Sequence, residues 1–335
     1  VKIIVDAFGG DNAPLEVMKG CRMAVDEYGC EIILSGDSHE LYQLSGMYSI
    51  PLDGITVSDA KGEIPMDAKP TELLSKYKGC SLENAFQQLA AGNGDALVTA
   101  GSTGAALTGG TLIVRRIKGV RRPCIATLLP FTEKGTLLLD CGANAECRPD
   151  MLCQFGVMGS VYMQQLMGVE TPRVGLVNIG TEESKGTDLQ REAYALLKAA
   201  PVEFIGNIES RDIPLGACEV AVADGFTGNV VLKLVEGMAK FFSAQFKQIM
   251  LKNTLTSLCA LTMKGGMVEL KNKLDSSHYG GAPLLGLRKP VIKAHGNADA
   301  LAIKNAVRQA ISCCEKDMVG QIEQSLAQMG AAEEE

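Results

Sequence analysis

Short apolar, β-branched runs alternate with longer stretches of helical period along most of the chain, at 2–5, 31–34, 54–57, 96–99, 123–129, 136–139, 173–177, 202–205, 219–223 and 291–294. Their hydrophobicity is continuous rather than alternating, which marks strands buried on both faces. Strands of this kind separated by helices predict an α/β chain, a doubly wound and mostly parallel sheet in an α/β/α sandwich. Residues 150–167 read as one helix and 298–328 as a closing helix or pair. Residues 232–275 carry successive helical patterns with no strand run between them. They predict a helical hairpin inserted into a single domain over 1–330, with 331–335 as a disordered tail.

Ligands of doubly wound sheets gather beyond the carboxyl ends of the strands. Those positions repeat one chemistry here: Asp6-Ala7-Phe8-Gly9-Gly10-Asp11-Asn12, Gly101-Ser102-Thr103-Gly104, Asp140-Cys141-Gly142-Ala143-Asn144, Asn178-Ile179-Gly180 with Lys185 beyond it, and Asp224-Gly225-Phe226-Thr227-Gly228-Asn229. Each alone also serves as a turn or helix cap. Together they are expected to converge on one sheet edge as a polar pocket. The last segment joins a strand to a helix start, so the amides of its first turn are expected to face outward as an anion site, with Thr227 and Asn229 at the lip. It matches neither G-x-x-x-x-G-K-[ST] nor G-x-G-x-x-G, which favours a small anion such as inorganic phosphate over a nucleotide.

Composition narrows the class. The 335 residues include 37 Gly and no Trp, which suits an α/β enzyme with many tight turns, and the net charge of -7 argues against bulk nucleic-acid binding. No apolar segment is long enough to span a bilayer and no signal-peptide layout opens the sequence, so a cytoplasmic protein is expected. Eleven cysteines are scattered without a C-x-x-C pair, and Cys141, Cys147 and Cys153 read as buried free thiols rather than metal ligands.

Few side chains are left for acid–base or nucleophilic chemistry. His39 reads as a surface residue, while His278, before a glycine-rich loop expected to be flexible, and His295, after a strand run, suit structural or catalytic roles equally. There is no G-x-S-x-G elbow, which disfavours a covalent hydrolase. Lys185 reads either as a cation neutralising a bound phosphate or as the surface partner of Glu182 or Glu183. The basic run from Arg115 and Arg116 to Arg121 and Arg122 reads as a docking patch for an acidic partner or as a solvated helix end. Leu251, Leu255, Leu258 and Leu261 form an apolar stripe, read as helix or dimer packing or as membrane contact.

Taken in order, the strand-end motifs, with Gln154-Phe155-Gly156, Gly206-Asn207-Ile208-Glu209, Gly280-Gly281-Ala282-Pro283 and Ala294-His295-Gly296, resemble the bacterial acyl-ACP:phosphate acyltransferases. The resemblance implies transfer of a fatty acyl group from acyl carrier protein (ACP) to inorganic phosphate, giving acyl phosphate for phospholipid synthesis. It also implies a fold similar to phosphotransacetylases and isocitrate dehydrogenase, a homodimer, no metal or organic cofactor, and peripheral membrane association through the helical insertion. Two positions depart from the family pattern, Phe8 for Met and Asn12 for His, so an imidazole at 12 is not essential here. The segment Asn297-Ala298-Asp299 is also poorer in Ser and Asn than is usual.

With this chemistry in view, Ser102, Thr103, Thr227, Gly228 and Asn229 are expected to bind phosphate and Lys185 to offset its charge. Asn178 or His295 would donate to the oxyanion, and His278 is a lesser candidate for proton transfer. Asp6, Gly9, Gly10, Gly104, Asn144 and Asp224 complete the expected contacts, Asp224 orienting a donor or capping the helix. A phosphotransacetylase using coenzyme A is the alternative within the same chemistry. A nicotinamide-dependent dehydrogenase lacks its acidic fingerprint, and a non-enzymatic scaffold leaves the polar strand ends without purpose.

Overall fold

The computed structural model describes residues 1–274 and 280–332, with side chains at all of these except 258, 259, 261, 268–274 and 330–332. The elements are β1 (Lys2–Asp6), α1 (Leu15–Tyr28), β2 (Glu31–Gly36), α2 (Ser38–Tyr48), β3 (Ile55–Asp59), α3 (Ser81–Ala90), β4 (Ala96–Thr99), α4 (Thr103–Gly109), β5 (Cys124–Leu129) and β6 (Thr136–Leu139). They continue through α5 (Pro149–Met167), β7 (Arg173–Asn178), α6 (Asp188–Ala199), β8 (Glu203–Glu209), β9 (Val220–Val222), α7 (Gly225–Met250), α8 (Thr254–Leu274), β10 (Ala282–Leu285), β11 (Val291–Lys293), α9 (Ala300–Glu315) and α10 (Met318–Ala332). A π-helical turn, Gly110–Val114, prolongs α4, and a 3₁₀ turn, Pro70–Leu74, packs beside it.

The eleven strands among the described residues join one sheet in the order β3-β2-β1-β4-β11-β10-β5-β6-β9-β7-β8, the α/β/α arrangement the patterning predicts. The continuous apolar runs are buried as expected: every residue of β4, β6, β9 and β11 is inaccessible or nearly so. One strand was not anticipated. Residues 279–283 read as the start of a loop because of the glycines and Pro283, yet Ala282 and Pro283 pair with Lys293 and Ile292 in β10. Leu284 and Leu285 of the same strand pair with Ile125 and Cys124 of β5.

Strand direction departs more deeply from expectation. β1, β2, β3, β4 and β11 are mutually parallel, and so are β6, β7, β8 and β9. Between the two sets β10 is antiparallel to both β11 and β5, and β5 is antiparallel to β6. Following these pairings across the sheet, the second set runs opposite to the first. The carboxyl ends therefore point to opposite edges, and the polar motifs form two groups rather than one.

The expected hairpin is α7 and α8, with α7 starting at the glycine turn itself. Its apolar side chains Leu234, Met238, Phe241, Phe242 and Ile249 are exposed, as are Leu251 and Leu255. The side chains of Leu258 and Leu261, and all of His278, lie outside the described residues. At the chain end α10 continues to Ala332, so helix replaces the first part of the expected tail. No helix among the described residues is long and apolar enough to cross a membrane.

Candidate active site

The second group of strand ends is built around Asp140, which follows β6 and is fully buried. Its Oδ1 accepts from the amides of Ile125 (2.9 Å) and Ala143 (3.1 Å), and its Oδ2 from the amide (2.7 Å) and side-chain Nδ2 (2.9 Å) of Asn144. Burial pushes the carboxyl above its ordinary pKa, and these donors pull it back. Four bonds to one carboxylate fix the turn 141–144, in which Gly142 takes a φ of 120°. Asn144 also donates to the Pro123 carbonyl (2.9 Å), so its side-chain donors, expected to meet substrate, hold the frame together instead.

The first turn of α7 packs backbone to backbone on this frame. Gly225 N donates to Asn144 O at 2.8 Å, and a Cβ at Gly228 would stand 2.0 Å from Asp140 O, so position 228 admits no side chain. Asp224 caps the helix: Oδ1 accepts from Thr227 N (2.8 Å), Oδ2 from the Thr227 hydroxyl (2.8 Å), and its carbonyl from Gly228 N (2.9 Å). The outward-facing amide site expected here is therefore mostly used up. Among the described residues only Phe226 N–H of that turn lacks a partner, and the Thr227 hydroxyl is engaged as a donor. Asn229 is exposed above Gly142, and its side chain makes no hydrogen bond among the described residues.

Lys185 reaches the same edge from β7. Asn178 pins its loop, accepting from Ile179 N (2.8 Å) and donating to Lys185 O (3.1 Å), while Asn207 at the end of β8 donates to Glu182 O (2.8 Å). Lys185 Nζ lies 3.9 Å from Glu182 Oε1, and both side chains are about half exposed or more, so the pair is loose. Exposed pairs are worth about 0–1 kcal/mol, which leaves the ammonium free to meet an incoming anion.

The first group is of another character. Asp6, at the end of β1, is 1% exposed; its Oδ2 accepts from the Thr99 hydroxyl (2.8 Å), which in turn accepts from Gly101 N (3.0 Å). Asp6 Oδ1, near Ser81, is buried without a hydrogen bond of ordinary geometry. Lys293, at the end of β11, is also buried and donates to the carbonyls of Ala100 (3.2 Å) and Ala294. Desolvation lowers its pKa to about 8, against the opposing pull of Asp6 and Asp11. Gly9 closes over the Asp6 carboxylate, Gly10 lies against Gly296, and Gly104 lets Pro70 approach α4. Ser102 is buried at the start of α4 and makes no side-chain cap, Thr103 is half-buried, and His295 is exposed.

The helix α4 carries the first group toward the second. Its Leu107 and Thr108, with Thr111 and Leu112 of the π-helical turn, line an open groove of about 210 Å³ together with Thr71, Arg122, Pro123, Ala143 and Asn144. Sequence reasoning missed this groove, and also the framing role of Asp140 and the buried Lys293. The one available signal was a lysine inside an otherwise apolar strand run, 291–294. Cys141 and Cys153 are buried thiols and Cys147 is half-buried, and burial pushes the thiols of Cys141 and Cys147 up to about 12.

Comparison with known proteins bears on the fold and the chemistry together. The chain is similar to the EutD phosphotransacetylase of Staphylococcus aureus (TM-score 0.59, 15% identity, 94% of each chain covered). It is similar also to a phosphotransacetylase of Streptococcus pyogenes (TM-score 0.61, 16% identity, 98% of this chain and 94% of that one). At such identities the likeness establishes the fold. In sequence it is 42% identical over 330 residues to the phosphate acyltransferase of Alkaliphilus oremlandii, covering 98% of each. It is 43% identical over 331 residues, again 98% of each, to that of Caldanaerobacter subterraneus subsp. tengcongensis. A family model described as fatty acid synthesis protein matches residues 1–321. The chain is an acyltransferase and belongs to the phosphate acyltransferase family of fatty acid synthesis proteins.

Proposed function

We propose that this enzyme takes a fatty acyl group from acyl carrier protein and passes it to inorganic phosphate, the acyl phosphate then serving glycerol-3-phosphate acylation in phospholipid synthesis. The observation that supports this most is the second strand-end group: a turn locked by Asp140 that leaves the Asn229 amide unengaged and Lys185 loosely paired, both at the surface. A phosphate oxygen attacks the thioester carbonyl carbon; the new C–O bond forms, the C–S bond breaks, and the thiolate departs and takes up a proton. Thiolate leaves readily, so holding the nucleophile and stabilising the oxyanion dominate the barrier.

Asn229 and the Phe226 amide then address phosphate or oxyanion, Lys185 offsets the phosphate charge, and Ser102 and Thr103 supply hydroxyls from the start of α4. Asp224 positions Thr227 and Gly228. Asn178 holds the Lys185 loop and offers its second N–H to the oxyanion, the alternative donor being His295, with His278 the lesser candidate for proton transfer. The reaction as written consumes no metal or organic cofactor. Arg115 and Arg116, both exposed, present positive charge to the acidic carrier protein. The apolar face of α7 and α8, including Leu251 and Leu255, suits a homodimer and a peripheral contact with the inner face of the cell membrane.

The test is phosphate-dependent release of free ACP from acyl-ACP by the purified protein and by Asn229→Ala and Lys185→Ala. Each substitution is expected to lower kcat/KM by about 10²–10³, the loss typical of an oxyanion or charge-stabilising group. Near-normal rates in both folded variants would remove the site. Acetyl-CoA turned over faster than acyl-ACP would favour the short-chain phosphotransacetylase reading.

A further inference from the structure

We infer that the groove between α4 and the Asp140 turn is the seat of the acyl donor's arm: a slender chain of amides and methyl groups ending in a thioester at one end and a phosphate ester at the other. This is the phosphopantetheine arm through which carrier protein and coenzyme A alike present acyl groups, and the inference rests on the acyl-transfer reading above.

Position comes first. Ala143 and Asn144 line the groove, and Asn144 O accepts the amide of Gly225, so the groove borders the turn that carries Asn229. A thioester drawn along it arrives where the unengaged amide stands. The groove is open and about 210 Å³, below the roughly 300–1,000 Å³ of common small-molecule sites, so it takes part of a long ligand rather than the whole of one.

The lining chooses the occupant. Leu107, Leu112, Pro123 and Ala143 offer apolar contact, while Thr71, Thr108 and Thr111 interleave hydroxyls, and no carboxylate takes part. A bare alkyl chain would strip water from those hydroxyls and return no hydrogen bond. An amide-bearing chain satisfies both kinds of surface.

Charge supplies a further contact. Within the basic run Arg121 Nε pairs with Asp150 at 3.1 Å, and Arg116 Nη1 donates to the Arg121 carbonyl. Arg122, exposed and lining the groove, has no ion-pair partner among the described residues. Its long side chain is available to meet the phosphate of the arm.

Binding can be read without turnover, by calorimetric titration of 4′-phosphopantetheine and of pantetheine, which lacks the phosphate. The protein is expected to bind phosphopantetheine more tightly. Arg122→Ala should weaken phosphopantetheine about tenfold, to the level of pantetheine, and leave pantetheine unchanged. Thr111→Trp, which fills the groove, should abolish binding of both, and Leu112→Glu, which removes an apolar contact and adds a negative charge, should weaken both, phosphopantetheine the more; Leu112 is 57% exposed, so that variant keeps its fold if the tryptophan does not. Unchanged affinities in folded Arg122→Ala and Leu112→Glu, or no binding by the native protein, would overturn the assignment. Holo-ACP binding weakened by the same substitutions would name the carrier protein as source, and coenzyme A affected in its place would name the nucleotide carrier. If phosphopantetheine binds as expected and acyl-ACP yields no acyl phosphate, the reaction fails and the groove stands.

Discussion

The two groups of strand ends share a vocabulary of Gly, Asp, Ser, Thr and Asn, yet they spend it differently. Around Asp6 the charges go inward: carboxylate and Lys293 ammonium are both buried, and glycines pack over them. Around Asp140 a buried carboxylate with four donors serves as the frame, Asp224 caps the helix that packs on it, and Asn229 and Lys185 are left to solvent. Polar residues at a strand end thus become a candidate site only after the frame's own hydrogen bonds have been counted. The second group has donors remaining; the first has mostly an electrostatic cost.

The contrast breaks most visibly at the carboxylates. Asp140→Ala strands the amides of Ile125, Ala143 and Asn144, and a loss of about 3 kcal/mol or more is expected in urea unfolding. Asp6→Asn removes a carboxylate with one ordinary hydrogen bond but leaves the buried Lys293 ammonium without that opposing charge, and should cost less, about 1–2 kcal/mol. Equal losses would erase the distinction between frame and buried charge.

Next in size is the pH dependence of Lys293. In the unfolded chain its amine holds its proton to the ordinary 10.5, and in the folded protein only to about 8. Between these values the unfolded state binds more protons, so stability should rise with pH, by up to about 3 kcal/mol from this group. Unfolding free energies near pH 8 and pH 10.5 read the gain, and Lys293→Met should lose it. A gain that persists in the variant would belong to other groups.

A glycine substitution sharpens the description of the frame. Gly228→Ala forces a methyl group against the Asp140 carbonyl, which is backbone and cannot step aside, and a destabilisation of about 3 kcal/mol is expected with a fall in acyl-transfer rate. A variant as stable and active as the native enzyme would show that α7 does not rest on the turn as tightly as its backbone contacts indicate.

Much of this was legible in the sequence. Continuous apolar runs located ten of the eleven strands among the described residues, because burial on both faces leaves a plain signal. β10 escaped because Gly280, Gly281 and Pro283 speak for a loop until β11 and β5 offer it partners. The reversal of direction left one clue: only 130–135 separate β5 from β6, too few residues for a parallel crossover. An antiparallel β5–β6 pair already divides the strand ends into two groups. Asn229 and Lys185 were legible as candidates, and their surroundings were not. Whether an amide is engaged depends on partners such as Asn144 and Gly225, which lie far apart in the chain. The groove was hidden for the same reason, since 71, 107–112, 122–123 and 143–144 meet only in three dimensions.

The insertion of β10 and β11 between β4 and β5 bears on how the molecule comes into being. β4 and β5 are consecutive strands in the chain, but the pair that joins them is made from residues 282–293 of 335. During synthesis the earlier strands can assemble only as two pieces, each with a raw apolar edge, until that late segment emerges. A nascent chain arrested before residue 282 therefore offers two open edges to any neighbouring strand, and ribosome-bound intermediates of this length are where chaperone occupancy or aggregation should concentrate.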